Sequence, residues 1–357
     1  MTDGLDLKGD LVALLRSLVD IESVSGNEAG IADEVERALA PYDHLAVSRD
    51  GNVVVARTDL SRAERVVVAG HLDTVPVAGN VPSWVTDGAD GVRVWGRGAC
   101  DMKGGVAVQL AAAAALEAPN RDVTWIFYDN EEIEEQHNGL RRLAVTRPEQ
   151  LAADFAILCE PSNAEIEGGC QGTLRAEVTL TGVAAHSARA WMGRNAIHDA
   201  GAVLQRLADY EPASVEVDGL TYREGLNAVR ISGGIAGNVI PDRCVIEVNY
   251  RFAPDKTPAQ AEATVRAVLD GFAVDVTDVA AGARPGLDRP AAADFLDAVG
   301  GQASAKFGWT DVARFAALGI PAVNFGPGDP SKAHADDEFC PAADLHACRD
   351  GLVRWLS

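Results

Sequence analysis

The stretch Asn130–Gly139, with the sequence NEEIEEQHNG, places four glutamates and one histidine within ten residues. Carboxylates at this density most often form a solvated acidic surface, but two adjacent ones could also serve as a metal ligand and a general base. The stretch directly follows Val123–Tyr128 (VTWIFY), which has the length and the β-branched and aromatic composition of a buried strand. Its chemistry therefore depends on which other residues lie at the same edge of the sheet.

Four other short motifs contain histidine or acidic residues next to predicted strands or helices. In open α/β sheets, ligands bind in the crevice beyond the carboxyl ends of the strands, where residues from several strands converge. We expect these motifs to line one crevice together with NEEIEEQHNG. They are Gly70–Pro76 (GHLDTVP), Gly96–Gly105 (GRGACDMKGG), Cys159–Pro161 (CEP) and Ala333–Glu338 (AHADDE).

Metal ligation is the chemistry that suits these residue types best. Two imidazoles and three carboxylates favour zinc, with cobalt or manganese as less selective substitutes. One central carboxylate among five ligands can bridge two ions about 3.5–4 Å apart, and zinc lowers the pKa of a bound water to about 7. A carboxylate that is not a ligand would then act as general base. The candidate ligands are His71, Asp101, a glutamate of residues 131–135, Glu160 and His334.

The motifs HLDTVP and GRGACDMKGG, the adjacent Glu-Glu pair, the later Glu-Pro and the late histidine resemble the dinuclear-zinc amidohydrolase and metallopeptidase family. That family includes aminoacylase, acetylornithine deacetylase, glutamate carboxypeptidase and succinyl-diaminopimelate desuccinylase, and the resemblance covers essentially the whole chain. The runs NEEIEEQHNG, AAHSARAWMGRNA and NFGPGD are most similar to the actinobacterial branch of the desuccinylases. The resemblance implies hydrolysis of a small anionic N-acyl amino acid, with N-succinyl-LL-2,6-diaminopimelate as the expected substrate in lysine biosynthesis.

The resemblance further implies two zinc ions per subunit and a cis peptide bond after the bridging aspartate, between Asp101 and Met102. The implied ligands are His71 and Glu160 for one ion, Glu132 and His334 for the other, and Asp101 as the bridge between them.

A general base and a residue that orients a ligand are also implied by the resemblance. Glu131 would be the base, and Asp73 would hold the His71 ring through a hydrogen bond. The 28 residues from Glu132 to Glu160 match the family interval, which favours the first glutamate pair of the run. The second pair, Glu134 and Glu135, is expected to remain in solvent.

Substrate contacts are expected from a second domain. In relatives, the histidine that corresponds to His186 reaches the active site from the partner subunit of a dimer and stabilises the oxyanion. Arg251 resembles a binder of the substrate carboxylate, although an interdomain salt bridge is the alternative interpretation of this residue. The further candidates for substrate binding are Asn227, Arg175 and Gly326.

The elements that must position these residues are typical of an α/β domain. The alanine-rich stretch Gly104–Ala118 favours a helix, and apolar spacing predicts helices over Leu11–Ile21 and Glu28–Leu39. Buried strands are predicted over Arg65–Ala69, Val123–Tyr128 and Phe155–Leu158. The predicted fold is a zinc-peptidase-like mixed sheet sandwiched by helices.

From about Leu174 the predicted elements follow the order β-α-β-β-α-β, which is typical of a ferredoxin-like domain. We therefore predict a catalytic domain formed by 1–173 and 283–357, with an inserted lid and dimerisation domain over 174–282. The predicted strands of this insertion are 174–180, 227–235, 244–252 and 274–279, and its predicted helices are 195–210 and 258–271.

Composition restricts the class of partner. The net charge of −22 argues against nucleic acid or an anionic membrane as a partner, and it means that an anionic substrate needs arginines in its pocket. The acidic N-terminus has no basic segment typical of a signal peptide, and the six cysteines form no CxxC pair. We therefore expect free thiols and a cytoplasmic location, and the resemblance implies a homodimer formed through the lid domain.

Other interpretations of the same residues remain open at this stage. The same chemistry could act on N-acetylornithine or on a dipeptide. A non-catalytic binding module is a further alternative, although such a module needs no base beside its metals. The glycines of GRGACDMKGG lack the spacing of a phosphate-binding loop and are expected to be turn and close-packing glycines.

Overall fold

The computed structural model describes residues 4–357, so the first three residues of the N-terminal segment lie outside the described part of the chain. The chain forms two compact units. Unit 1 runs to Gly168 and continues with Gly286–Ser304 and Arg314–Ser357, and unit 2 comprises Gly169–Pro285 and Ala305–Ala313.

Residues 305–313 belong to unit 2, whereas the division made from the sequence places them in the catalytic domain. Two hydrogen bonds attach this segment to the first strand region of unit 2. The backbone N–H of Gln171 donates to the Gly308 carbonyl at 3.0 Å, and the Cys170 thiol lies 3.7 Å from the Thr310 carbonyl.

Helices and strands alternate through most of the chain. The helices are α1 (Leu11–Val19), α2 (Ala29–Leu39), α3 (Lys103–Ala115), α4 (Gly139–Thr146), α5 (Ala196–Ala208), α6 (Pro258–Val268), α7 (Pro290–Val299), α8 (Val312–Ala317) and α9 (Ala342–Leu356). The strands are β1 (Ala46–Asp50), β2 (Val53–Arg57), β3 (Arg65–His71), β4 (Trp84–Gly88), β5 (Gly91–Trp95), β6 (Asp122–Tyr128), β7 (Phe155–Leu158), β8 (Ile166–Gly168), β9 (Gly172–Thr181), β10 (Ala185–His186), β11 (Ser214–Val217), β12 (Leu220–Arg223), β13 (Gly225–Gly233), β14 (Val239–Ile240), β15 (Arg243–Phe252), β16 (Val274–Ala280), β17 (Ala303–Ala305), β18 (Ala322–Asn324) and β19 (Phe339–Pro341).

The large sheet has eight strands within residues 4–357, in the order β1-β2-β6-β3-β7-β18-β8-β17. Strand β3 pairs in parallel with β6 and β7, and β18 pairs in parallel with β7, whereas β1, β2 and β8 pair antiparallel with their neighbours. Almost every residue of β3, β6 and β7 is buried, as parallel strands covered on both faces require. The predicted mixed sheet is present, and the hairpin of β1 and β2 is an addition that its Gly51-Asn52 turn could have indicated.

Helix α3 packs closely against the sheet because its sequence provides very small side chains. All of its residues from Lys103 to Ala114 are buried. A Cβ atom on Gly105 would lie 2.1 Å from the Cys159 carbonyl oxygen, and one on Gly70 would lie 2.4 Å from Oε1 of Gln109. The expected close-packing role of the glycines is therefore confirmed for Gly105. This approach brings the start of α3 next to the carboxyl end of β7.

Unit 2 contains a four-stranded antiparallel sheet in the order β13-β15-β9-β16, with α5 and α6 on one face. Apolar residues of the sheet and the two helices, including Leu174, Val203, Ile246 and Val265, form its core. The order of elements agrees with the predicted ferredoxin-like pattern. The hairpin of β11 and β12 between α5 and β13 is an addition that apolar periodicity did not predict.

Among residues 4–357, none of the helices has both the length and the apolar character needed to span a membrane.

Candidate metal centre

The carboxyl ends of three neighbouring strands bring three of the candidate ligands of unit 1 together. His71 is the last residue of β3, Glu160 lies two residues beyond β7, and Glu132 follows β6. Backbone hydrogen bonds continue beyond the strand ends, from Leu72 N–H to the Tyr128 carbonyl at 2.7 Å and from Cys159 N–H to the Ala69 carbonyl at 2.9 Å. The pairing of the strands therefore fixes the backbone positions from which these side chains extend.

Two groups of potential ligands share Asp101. In the first group, His71 Nε2 lies 3.1 Å from Asp101 Oδ1, and Glu160 completes the set. In the second, His334 Nε2 lies 3.0 Å from Glu132 Oε1 and 3.4 Å from Asp101 Oδ2. The two oxygens of Asp101 thus face different histidines, as a bridging carboxylate would. The implied cis peptide bond between Asp101 and Met102 is present.

The donor set fits two divalent cations. Within each group the ligand atoms lie within 4.8 Å of one another, and two ligands of one zinc ion, each about 2.0–2.2 Å from it, must lie at comparable separations. Three carboxylates and two imidazoles leave an excess of negative charge in a largely buried place, which bound cations would neutralise. His71 is 1% exposed and His334 is the outermost ligand, with a side chain that is 53% exposed.

In the ion-free protein, the candidate ligands shift one another's pKa values because they lie close together. Burial alone would lower the pKa of His71, but hydrogen bonds with Asp101 and Asp73 outweigh it and raise that pKa well above its usual value. Hydrogen bonds with Asp101 and Glu132 raise the pKa of His334 to about 10. Burial would raise the pKa of Asp101, but the two histidines lower it overall. In the ion-free protein, both histidine rings therefore favour the protonated form at neutral pH.

Asp73 contacts the His71 ring, and its carboxylate makes further hydrogen bonds that the resemblance does not include. The Nδ1 atom of His71 lies 3.0 Å from the backbone carbonyl of Asp73 and 3.5 Å from the carboxylate Oδ1. The carboxylate instead accepts hydrogen bonds from the backbone N–H groups of Glu131 at 3.0 Å and Glu132 at 3.1 Å, and from Ser25 Oγ at 2.7 Å. Asp73 therefore positions the His71 ring mainly through its carbonyl and the glutamate pair through its carboxylate.

The acidic run divides into two parts, as expected. Glu131 and Glu132 are partly buried next to Asp73, whereas Glu134 and Glu135 are exposed. Glu135 lies 3.5 Å from Arg314 and 3.7 Å from Arg141 in ion pairs. The expectation that the second pair remains in solvent is confirmed.

The six cysteines are free and buried. Burial raises the pKa of the Cys100 thiol well above its usual value and also raises that of Cys159, so neither thiol ionises at neutral pH. The expectation of free thiols is confirmed.

The predicted substrate residues of unit 2 lie side by side on its sheet. Strand register places Asn227 opposite Asn249, and Asn249 opposite Arg175, so the three side chains share one face. Arg251 lies two residues along β15 on that same face, and its Nε donates to Asn249 Oδ1 at 3.1 Å. The other face carries Leu174 and the remaining apolar residues of the core.

Two arginines, Arg175 and Arg251, lie near each other on this face, and Asp278 of β16 stands opposite Arg175. Burial lowers the pKa of Arg251, and the charge of Arg175 adds to the effect. Within unit 2, none of the described carboxylates forms an ion pair with Arg251. The alternative of an interdomain salt bridge stays a prediction. Asn249, which orients Arg251, was not singled out from the sequence, although it stands in the same motif, NYRF.

His186 and Gly326 have well-defined local surroundings. His186 is exposed in β10 of unit 2, and its Nδ1 accepts a hydrogen bond of 3.0 Å from the backbone N–H of Ala188. Gly326 of unit 1 is packed against the chain next to Glu160, because a Cβ atom there would lie 2.3 Å from the Cys159 carbonyl oxygen. The catalytic role of His186 and the substrate contact of Gly326 remain predictions.

A comparison with known proteins shows the family to which the chain belongs. The sequence profile described as peptidase family M20/M25/M40 matches residues 67–357, and the chain belongs to this family. This confirms the resemblance found in the motifs.

Among individual relatives, the chain is 56% identical to a putative succinyl-diaminopimelate desuccinylase of Mycobacterium tuberculosis, over 99% of both chains. It is 47% identical to a succinyl-diaminopimelate desuccinylase of Corynebacterium glutamicum, over 99% of this chain and 98% of the relative.

Two solved structures share the fold. A tripeptidase from Staphylococcus aureus superposes with a TM-score of 0.80 at 20% identity, covering 99% of this chain and 98% of the other. A dinuclear metal-binding peptidase from Bacillus subtilis superposes with a TM-score of 0.67 at 16% identity, covering 97% and 96%. At these identities the similarity shows the fold alone, and it confirms the predicted α/β class.

Proposed function

We propose that this protein hydrolyses N-succinyl-LL-2,6-diaminopimelate to succinate and LL-2,6-diaminopimelate, a step in lysine biosynthesis. The observation that carries the proposal is full-length identity of 56% to a putative succinyl-diaminopimelate desuccinylase, combined with two groups of potential metal ligands in unit 1. A binding module derived from the same fold would not need a carboxylate beside the ligands.

The proposed cofactor is a pair of zinc ions, for which cobalt or manganese are possible substitutes. His71 and Glu160 would hold one ion, Glu132 and His334 the other, and Asp101 both. Bound zinc supplies Lewis acidity, which polarises the amide carbonyl and makes a water molecule more acidic.

The residues of the chain supply the proton transfers. Glu131 is the proposed general base, which takes a proton from the attacking water and returns it to the leaving amine. Asp73 holds the backbone of Glu131 through a hydrogen bond of 3.0 Å and so restricts the positions that the base can adopt. His186 is the proposed donor to the oxyanion, contributed by the partner subunit of a homodimer.

An anionic substrate can bind to this acidic protein only where positive charge is concentrated. Arg175 and Arg251 provide two adjacent guanidinium groups on one face of the unit 2 sheet, with Asn227 as a neutral donor beside them. Guanidinium groups bind carboxylates through paired, charge-assisted hydrogen bonds. We assign these residues to the carboxylates of the substrate. Gly326 stays a candidate for substrate binding, although its N–H donates to Ser162 Oγ at 3.0 Å and its carbonyl accepts from the N–H groups of Ser162 and Ala164. The proposed location is the cytoplasm.

The first experiment compares substrates on apoprotein titrated with zinc from zero to two equivalents. We expect amine release from N-succinyl-LL-2,6-diaminopimelate to appear with zinc and to rise further with the second equivalent. A higher kcat/KM for N-acetylornithine or a dipeptide would assign the metal centre to a different substrate. If none of these substrates is cleaved at any zinc level, the result would favour the binding-module alternative.

A further inference from the structure

The loops that carry His71, Asp101 and His334 are joined by one buried ion pair. Arg97 and Glu338 are 3% and 1% exposed, and Arg97 Nη1 donates to Glu338 Oε2 at 2.9 Å. Neither residue was among the candidates taken from the sequence, although both stand inside motifs that supply ligands. We propose that Arg97 and Glu338 are positioning residues of the metal centre.

Glu338 fixes the backbone next to the bridging ligand. Its Oε1 accepts hydrogen bonds of 3.0 Å from the backbone N–H groups of both Cys100 and Asp101. One carboxylate oxygen thus holds two consecutive peptide groups immediately before the side chain that faces both histidines. A shift of Glu338 would therefore change the direction from which Asp101 approaches its ions.

Arg97 connects the same point to the two loops that carry histidine. Its Nε donates to the Pro76 carbonyl at 3.1 Å, in the GHLDTVP motif of His71. Its Nη1 also donates to the Ala335 carbonyl at 3.1 Å, directly after His334. A planar guanidinium with several donors in fixed directions can make these contacts simultaneously, which the single ammonium group of lysine cannot do.

The backbone at His334 needs such support. His334 has φ +66°, in the left-handed region that residues with a Cβ atom seldom adopt. Conformations of this kind persist where surrounding contacts enforce them and are common at functional sites. The hydrogen bond from Arg97 to the following carbonyl is a contact of that type.

Stability alone does not explain a buried ion pair at this place. Removing two charges from water costs about as much as the pair gains, and apolar residues of similar volume often stabilise a fold equally well. The pair does, however, specify geometry, since its six charged and polar contacts reach three loops that are distant in sequence. Residues that orient metal ligands typically contribute about 10- to 100-fold to metal affinity.

The inference rests on the proposed two-ion centre, and the experiment distinguishes failure of the inference from failure of the centre. In Glu338→Gln, one amide oxygen still accepts from Cys100 and Asp101, but the amide NH2 faces the donor Arg97. Arg97→Lys retains the positive charge but loses the planar guanidinium group with its several donors. Asp122→Asn is the matched control, because Asp122 is a buried carboxylate that accepts two backbone N–H bonds at the opposite end of β6.

The measurements are zinc affinity of the apoprotein by competition with a chromophoric chelator, the visible spectrum of the cobalt-loaded protein, and thermal unfolding. We expect Glu338→Gln and Arg97→Lys to bind zinc about 10- to 100-fold more weakly and to change the cobalt spectrum at saturation. Asp122→Asn should lower the unfolding temperature while both metal readouts stay as in the wild type.

Wild-type affinities and an unchanged cobalt spectrum in both Glu338→Gln and Arg97→Lys would overturn the inference and leave the two-ion centre intact. So would a loss of affinity that Asp122→Asn shows equally, because the cause would then be general destabilisation. A wild-type protein that binds no zinc would overturn both the centre and the inference. If Glu338→Gln does not fold, Arg97→Lys alone decides.

Discussion

The carboxylate of Asp73 accepts a hydrogen bond of 3.0 Å from the backbone N–H of Glu131, a residue 58 positions later in the chain. The other oxygen of the same carboxylate accepts from the N–H of Glu132 at 3.1 Å. One buried side chain thus fixes the backbone of the proposed base and that of the adjacent ligand. Because Asp73 also bonds to the His71 ring through its carbonyl, it couples the ends of β3 and β6.

Replacing this carboxylate should weaken the metal centre. In Asp73→Asn an amide NH2 replaces one acceptor, so one backbone N–H of the glutamate pair faces another donor. We expect zinc affinity to fall about 10- to 100-fold. Ser25→Ala removes one bond to the same carboxylate but leaves both backbone bonds, and should have a smaller effect. Equal effects of the two variants, measured by chelator competition, would contradict the assigned role.

The proposed base can be tested by an isosteric change. Glu131→Gln removes the proton acceptor and retains the volume, so we expect kcat to fall by about 10²- to 10⁴-fold. Zinc content, measured by atomic emission, should remain that of the wild type. Glu134→Gln alters an exposed carboxylate of the same run and should leave kcat unchanged. Substantial turnover by Glu131→Gln would assign the base elsewhere.

Substrate binding should depend on the arginines of unit 2. Charge-assisted hydrogen bonds contribute about 1.5–3 kcal/mol, so Arg251→Ala should lower kcat/KM roughly 10- to 100-fold. The loss should appear mainly in KM and should decrease for a substrate analogue that lacks one carboxylate. Arg243→Ala removes an exposed arginine from the other end of β15 and serves as the charge control. If the control raises KM as much, general electrostatic attraction explains the effect.

Acid stability should depend on Asp122. Burial would raise the pKa of its carboxyl, but hydrogen bonds from Leu60, Arg62 and Thr58 lower it below the usual value. A carboxyl whose pKa is lower in the folded state stabilises the fold above the unfolded pKa of about 3.9, and this contribution is lost as the pH falls through the folded value.

We therefore expect Asp122→Asn to reduce the free energy of unfolding by about 1–3 kcal/mol at pH 7. The difference from the wild type should shrink below about pH 4. Urea unfolding of both proteins over a series of pH values measures it. A difference that stays constant down to low pH would show that the ionised form of Asp122 contributes nothing.

The sequence by itself predicted which residue types form the candidate centre. Motif spacing, strand-like runs such as Val123–Tyr128 and the alanine-rich helix were sufficient to predict a mixed sheet whose strand ends carry His71, Glu132 and Glu160. These features are local, because apolar periodicity and residue type follow directly from the residues present. The division of the acidic run into a partly buried pair and an exposed pair could also be predicted from interval and position.

Only the tertiary structure decided which side chains support the ligands. The bonds from Asp73 to the glutamate pair and from Glu338 to Asp101 join residues 58 and 237 positions apart, and no local pattern encodes such contacts. Asn249 beside Arg251 likewise depends on strand register. The assignment of residues 305–313 to unit 2 follows from hydrogen bonds formed after the chain has folded. A ligand can be recognised by its chemistry, whereas a positioning residue is defined by what folding brings next to it.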